Sequence, residues 1–109
     1  MIAAMKRRAS LEIIRSQHEL WSLSQAIYSY PEIGHEEKFA SELLSSYLEA
    51  KGFRVIRGFA GMPTCFHAWY KGPRDGPRVA FLAEYDALPE LGHACGHNLI
   101  GAASVGAGL

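Results

Sequence analysis

Apolar residues recur with helical spacing in two stretches near the start of the chain. Over residues 10–29 they fall near one face of a helix, and Ser10 can cap its start. This helix is expected to stop before Pro31, because a residue that precedes proline is disfavoured in the helical conformation. A second helix is predicted over residues 35–51, where a stripe of apolar residues ends at Gly52, a residue suited to the position just past a helix.

The spacing changes to that of strands in the middle of the chain. Residues 53–57 alternate between apolar and polar, and residues 65–70 form a second strand rich in aromatic residues. Residues 79–83 are apolar throughout, which is typical of a central strand covered on both faces. Asn98 can cap a last helix of small residues. The pattern therefore predicts an α/β fold in which helices pack on an incomplete mixed sheet.

The domain organisation follows from the same pattern. Residues 1–9 are expected to form a flexible segment, and residues 10–109 are expected to form one domain. The chain stops at Leu109 inside an apolar segment, which indicates that the rest of the fold is missing. The alternative is a small domain that ends there by design.

Composition excludes some classes of partner. The 109 residues include 11 basic and 11 acidic side chains, so neither nucleic acid nor an anionic membrane is an expected partner. The longest apolar runs are too short to span a bilayer. Two cysteines, Cys65 and Cys95, are few for a secreted disulfide scaffold, and a reduced, cytoplasmic setting is expected. The basic start of the chain weakly resembles an organelle-targeting sequence, which is the alternative location.

Candidate chemistry is concentrated in residues 84–98, directly after the most apolar predicted strand. Ligands of open α/β sheets bind beyond the carboxyl ends of the strands, so this placement suits a site. Cys95 and His97 provide a thiolate and an imidazole, both good zinc ligands, and Gly96 between them gives the backbone freedom. Two ligands are too few for zinc, and a buried pair that binds nothing remains the alternative.

Acidic residues and a further histidine surround this pair. We expect Glu84 and Asp86 to point to opposite sides of the chain, where either can orient an imidazole or belong to a solvated acidic loop. His93 can be a third ligand, a group that orients a ligand, or an exposed side chain, and its spacing does not decide. Glu36 and Glu37 are expected to complement the dipole of the second helix.

These residues form segments that resemble a known enzyme family. The segments are Tyr30–Gly34 with Glu36 and Glu37, then Glu84–Pro89, then Gly92–Asn98. Together they are similar to the zinc-dependent amidohydrolase branch of the aminoacylase and carboxypeptidase family. That branch includes N-acyl-amino-acid and aminobenzoyl-glutamate hydrolases, and the version with Asn98 resembles its β-alanyl dipeptidase-like group. The resemblance covers roughly residues 18–109.

The resemblance implies roles for individual residues. It implies that Cys95 and His97 are metal ligands and that Asp86 orders the site around them. Glu84 stands where other branches of the family have a histidine ligand, and Asn98 stands where many relatives have aspartate. The complete enzyme would bind two zinc ions, with manganese or cobalt as alternatives.

The resemblance also implies an activity. Members of this family are metal-dependent hydrolases of amide bonds in dipeptides or N-acyl amino acids, and the full-length enzyme can be a homodimer. Their general base, a glutamate, and the remaining ligands come from later in the chain. Residues 10–109 are therefore expected to be a truncated catalytic domain that is inactive alone. One alternative is a non-catalytic interaction protein that pairs with a full-length relative, and another is a zinc or redox module that uses Cys65 and Cys95.

Overall fold

The computed structural model describes all 109 residues as three helices and one small sheet. The helices are α1 (Ile2–Ser29), α2 (Lys38–Ala50) and α3 (His97–Gly108), and the strands are β1 (Arg54–Arg57) and β2 (Phe66–Trp69). A single 3-10 turn at Phe59–Gly61 lies between the strands. This order confirms the predicted α/β arrangement of helices around an incomplete sheet. None of the helices combines the length and the apolar composition that a membrane span needs.

Helix α1 begins at Ile2, well before the predicted start at Ser10. Residues 1–9 therefore belong to the exposed first turns of a helix and not to an irregular segment, and their flexibility stays a prediction. The helix ends at Ser29 as expected. Tyr30 precedes a proline and leaves the helical region, with φ at −130° and ψ at 70°.

Helix α2 begins at Lys38, later than the predicted start at His35. His35 has a φ of 70°, in the left-handed region, so the chain turns there before a right-handed helix can begin. The backbone amides of Phe39 and Ala40 each donate at 2.9 Å to the carboxylate of Glu32. The acid at this helix terminus is therefore Glu32, and the two acids expected there precede the helix.

The hydrophobic core lies where the helices meet each other and the hairpin. It contains Leu23, Ile27, Ala40, Leu44, Leu48, Tyr85 and Val105. The three residues from α2 are spaced four apart, so they form one continuous face of that helix. Ile27 and Leu44 are completely buried. Side chains of this size each contribute about 1.5–3 kcal/mol through burial, which makes the cluster around these two residues the centre of the fold.

Strands β1 and β2 form an antiparallel hairpin. Arg54 lies opposite Trp69 and Arg57 lies opposite Phe66. Both strands were predicted, over 53–57 and 65–70, and the structure shortens each by a residue or two at its ends. The sheet contains only these two strands, so it is antiparallel and not mixed as expected.

The predicted central strand at residues 79–83 is not a strand. Val79 and Leu82 are 74% and 89% exposed, so the segment is not covered on both faces. A central strand needs hydrogen-bonded neighbours on both sides, and the sheet offers this segment none. Its link to the rest of the fold includes the hydroxyl of Ser104 in α3, which donates to the carbonyl of Leu82 at 2.6 Å.

Helix α3 approaches the other elements closely because glycines lie on its inner face. A methyl group on Gly101 would be 3.3 Å from both the Leu44 side chain and the backbone oxygen of Glu84. On Gly106 it would be 2.8 Å from the Leu20 side chain of α1. The small residues predicted for this helix therefore set its distance from α1, α2 and the loop that carries the candidate site.

We predict that Gly101→Ala lowers the free energy of unfolding. The added methyl meets a backbone oxygen that cannot move aside alone, and overpacking costs about 1–3 kcal/mol. The higher helix propensity of alanine offsets about 1 kcal/mol of this cost, so we expect the free energy of unfolding to fall by about 1 kcal/mol in total. Urea denaturation measures it, with Gly108→Ala as control because a methyl there meets only the Phe53 ring at 3.8 Å. Equal stability of the two variants would contradict this packing.

Candidate functional site

The loop that carries the site is attached to the core by Tyr85. This side chain is buried, and its hydroxyl donates to the backbone carbonyl of Thr64. Its ring stacks on Phe66 of β2, with the ring centroids 6.1 Å apart. Burial raises the pKa of the Tyr85 phenol, which keeps the hydroxyl protonated as a donor. Since Tyr85 points into the core, the side chains on either side of it point away.

Glu84 and Asp86 both contact His97, the first residue of α3. The Nδ1 atom of His97 lies 2.6 Å from Asp86 Oδ1, and its Nε2 atom lies 2.8 Å from Glu84 Oε2. The expectation that the two acids point to opposite sides was therefore wrong. Residues two apart in an extended chain lie on the same face, and the imidazole is wide enough to meet both.

The turn before α3 presents Cys95 and His97 in different surroundings. The amide of Gly96 donates to the carbonyl of His93 at 3.3 Å, and Gly96 has a φ of 82° that favours glycine. This conformation lets the chain pass directly from the turn into the helix. His97 is thereby held at the helix start, whereas Cys95 is exposed to solvent.

Asn98 does not cap α3 as the sequence suggests. It lies inside the helix, after the N-cap residue Gly96, and it is buried. Its side-chain amide donates to the hydroxyl of Ser24 at 3.1 Å. Asn98 therefore joins α3 to α1 behind the site, which explains why a neutral amide suits this position.

The donor chemistry of Cys95 and His97 fits zinc, but the structure shows no complete set of ligands. No group of three or more histidine, cysteine or acidic side chains is arranged around a point where an ion could sit. The two carboxylates near His97 meet opposite edges of its ring, so they cannot share one ion with it. Asp86 fixes Nδ1, which leaves Nε2 for a metal if the 64% exposed Glu84 side chain moves away.

The two cysteines are not joined. Both Cys65 and Cys95 are free thiols, with Cys65 partly buried beside β2 and Cys95 exposed. The alternative of a zinc or redox module that uses both thiols therefore stays a prediction.

His93 is buried beneath the site and is not exposed, so one of the three alternatives left by the sequence is wrong. It is 8% exposed, and neither of its ring nitrogens has a hydrogen-bond partner. Burial lowers the pKa of His93, and the nearby His97 lowers it further. The ring lines a pocket of about 360 Å³ together with Tyr28 and Leu91. A buried imidazole without partners costs stability, and it stays neutral at pH 7.

Glu32 is the residue near the site that sequence reasoning missed. Its carbonyl accepts the Ala87 amide at 2.7 Å, while its carboxylate holds the start of α2. The sequence showed this residue only within a family-like segment. No local pattern identifies it, because its contacts lie seven, eight and many more residues away along the chain.

We predict that the protein loses stability as the pH falls from 7 to about 5, and that His93→Leu removes this loss. The unfolded chain protonates His93 near its ordinary pKa of about 6.5, whereas the folded chain binds that proton only at lower pH. The contribution of His93 to the free energy of unfolding is therefore fully present above its ordinary pKa. It declines as the pH falls below that value. Thermal denaturation at several pH values measures the slope.

The pH range stays above 5 because the lowered pKa values of Glu19 and Glu42 produce a separate loss below their ordinary value of 4.5. Leucine also removes two unpaired nitrogens, so stability at pH 7 should be kept or increased. A slope between pH 7 and 5 that persists in His93→Leu would contradict the assignment.

The chain is similar to curated hydrolases, although no protein-family model matches it. It is 44% identical to the Xaa-Arg dipeptidase of Mus musculus over 96% of the chain, and 39% identical to that of Homo sapiens over 94%. It is 35% identical over 80% of the chain to a p-aminobenzoyl-glutamate hydrolase of Escherichia coli K12. The chain spans about a quarter of the length of these relatives. It belongs to the amidohydrolase and peptidase family that they represent.

Proposed function

We propose that the chain provides two ligands of the metal site in a hydrolase of amide bonds in dipeptides or N-acyl amino acids. The observation that carries this proposal is the His97 ring, held at the start of α3 by Asp86 with Cys95 two residues away. The names of the relatives, a dipeptidase and an acyl-glutamate hydrolase, support the substrate class.

Cys95 and His97 are the residues that would hold zinc, and manganese or cobalt are the alternatives. Thiolate sulfur and imidazole nitrogen are zinc ligands, and the family resemblance assigns the same pair. A bound ion would supply Lewis acidity toward the carbonyl of the scissile amide. The remaining ligands would come from outside this chain, because it contains no complete set.

Asp86 orients the imidazole for this purpose. Its carboxylate accepts a hydrogen bond from Nδ1–H, which fixes the ring and makes Nε2 the atom that would face a metal. The carboxylate of Glu84 contacts Nε2 in the structure, so metal binding at Nε2 would displace this carboxylate.

The 109-residue chain is expected to bind zinc without turnover. It spans about a quarter of the length of its relatives, and the family resemblance places the general base in a later part of the enzyme. Hydrolysis of amides at a metal site requires such a base to take a proton and return it to the leaving amine. Binding and turnover are therefore separable in this chain.

We predict that cobalt(II) added to the chain gives a thiolate-to-cobalt charge-transfer absorption. Cys95→Ser should abolish this absorption, because it removes the exposed cysteine two residues before His97. Cys65→Ser is the matched control and should keep it, because Cys65 is partly buried beside β2. Titration followed by absorption spectroscopy measures both.

Absorption that depends on Cys65, or that survives Cys95→Ser, would contradict the proposed ligand. The same preparations can be assayed with Xaa-Arg dipeptides and p-aminobenzoyl-glutamate. Hydrolysis by the chain alone that is lost in Cys95→Ser would contradict the expectation of binding without turnover.

We predict that Asp86→Asn weakens cobalt binding by roughly 10–100-fold, because the carboxylate that fixes His97 is lost. Glu84→Gln is the matched control, since it changes the carboxylate that competes for Nε2. The affinity of the Glu84→Gln variant for cobalt should be unchanged or higher. Isothermal titration calorimetry measures both affinities, and a larger loss in Glu84→Gln than in Asp86→Asn would show that the two acids have exchanged roles.

A further inference from the structure

We propose that Glu32 is a positioning residue for the His97 site, acting through the backbone of the loop that carries Asp86. This inference rests on the proposed metal-binding role of His97. Glu32 is far from the site along the sequence, and it contacts neither Cys95 nor His97. Its side chain and its main chain instead connect two parts of the fold that the site needs in a fixed relation.

The side chain of Glu32 is fixed to α2. Its two carboxylate oxygens accept the amides of Phe39 and Ala40 at 2.9 Å each. Hydrogen bonds to a charged acceptor at a helix N-terminus are among the stronger ones in proteins. Ala40 is buried in the core together with Leu44, so Glu32 is attached to a residue of the hydrophobic core.

The main chain of Glu32 is fixed to the site loop. Its carbonyl accepts the amide of Ala87 at 2.7 Å, and Ile33 forms a parallel bridge with Ala87. Ala87 is 3% exposed and directly follows Asp86. The segment also passes close to Asp86 itself, because a methyl group on Gly34 would be 3.9 Å from its Oδ2 atom.

Asp86 is therefore fixed on both sides. Tyr85 before it is buried in the core, and Ala87 after it is hydrogen-bonded to Glu32. This double attachment holds Asp86 Oδ1 2.6 Å from Nδ1 of His97. If the carboxylate of Glu32 is removed, the Ile33 segment loses its attachment to α2, and one of the two supports of Asp86 weakens.

A purely structural role would give a different result. If Glu32 only stabilised α2, its loss would affect that helix and leave the contact between Asp86 and His97 unchanged. Glu42, which lies in α2, offers the matched comparison. Its carboxylate accepts from Ser46 at 2.8 Å and from Arg57 at 3.1 Å, and it contacts no residue of the site loop.

The experiment compares Glu32→Ala with Glu42→Ala in the metal-free 109-residue chain by NMR. Two signals are read: the exchange rate of the Ala87 amide, and the ring-nitrogen shifts of His97, which report its contact with Asp86. In Glu32→Ala we expect the Ala87 amide to exchange about tenfold faster or more, because the two charge-assisted hydrogen bonds that fix Glu32 to α2 are lost. We also expect the Nδ1 signal of His97 to shift, whereas Glu42→Ala should leave both signals unchanged.

Unchanged His97 and Ala87 signals in a folded Glu32→Ala would overturn the proposal, and so would equal changes in Glu42→Ala. If Glu32→Ala does not fold, Glu32→Gln replaces it, because the amide keeps one acceptor oxygen for α2. It should show the same two changes at smaller size, and their absence overturns the proposal. Cobalt titration of the unaltered chain tests the metal site separately, so failure of the positioning role and failure of the proposed function are distinguishable.

Discussion

The burial of Tyr85 determines where the residues of the candidate site point. Its ring packs against β2 and the core, and its hydroxyl donates to the carbonyl of Thr64. Side chains alternate along an extended segment, so Glu84 and Asp86 must both face away from the core. Helix α3 starts on that side, and its first residue, His97, is placed between the two carboxylates.

The loop that carries the site is supported without a paired strand before it. In most α/β folds a site loop follows a paired strand, but here residues 79–83 are unpaired and residues 79–82 are exposed. The loop is held instead by Tyr85, by the contact of Ala87 with Glu32, and by the close approach of Gly101. Each support comes from a different element, which explains how a small chain can fix two carboxylates against one imidazole.

The sequence predicted the helices and strands better than the contacts between them. Helical spacing located α1 and α2, and alternation located both strands of the hairpin, because these patterns reflect local geometry. The prediction of a central strand at residues 79–83 was wrong, because an apolar sequence does not specify which strands will lie beside it. At the site, the motif identified Cys95, His97 and Asp86 as candidates, but not their contacts. Glu32 and the buried state of His93 depend on chain segments that meet only in the folded protein, and no local pattern encodes them.

The central claim is that the chain presents Cys95 and His97 as ligands of one metal site. X-ray absorption at the zinc K edge of the zinc-loaded chain tests it most directly, because sulfur and nitrogen ligands differ in distance. We expect one sulfur at about 2.3 Å together with nitrogen at about 2.0–2.1 Å, and loss of the sulfur in Cys95→Ser. A zinc shell of oxygen and nitrogen alone in the unaltered chain would contradict it.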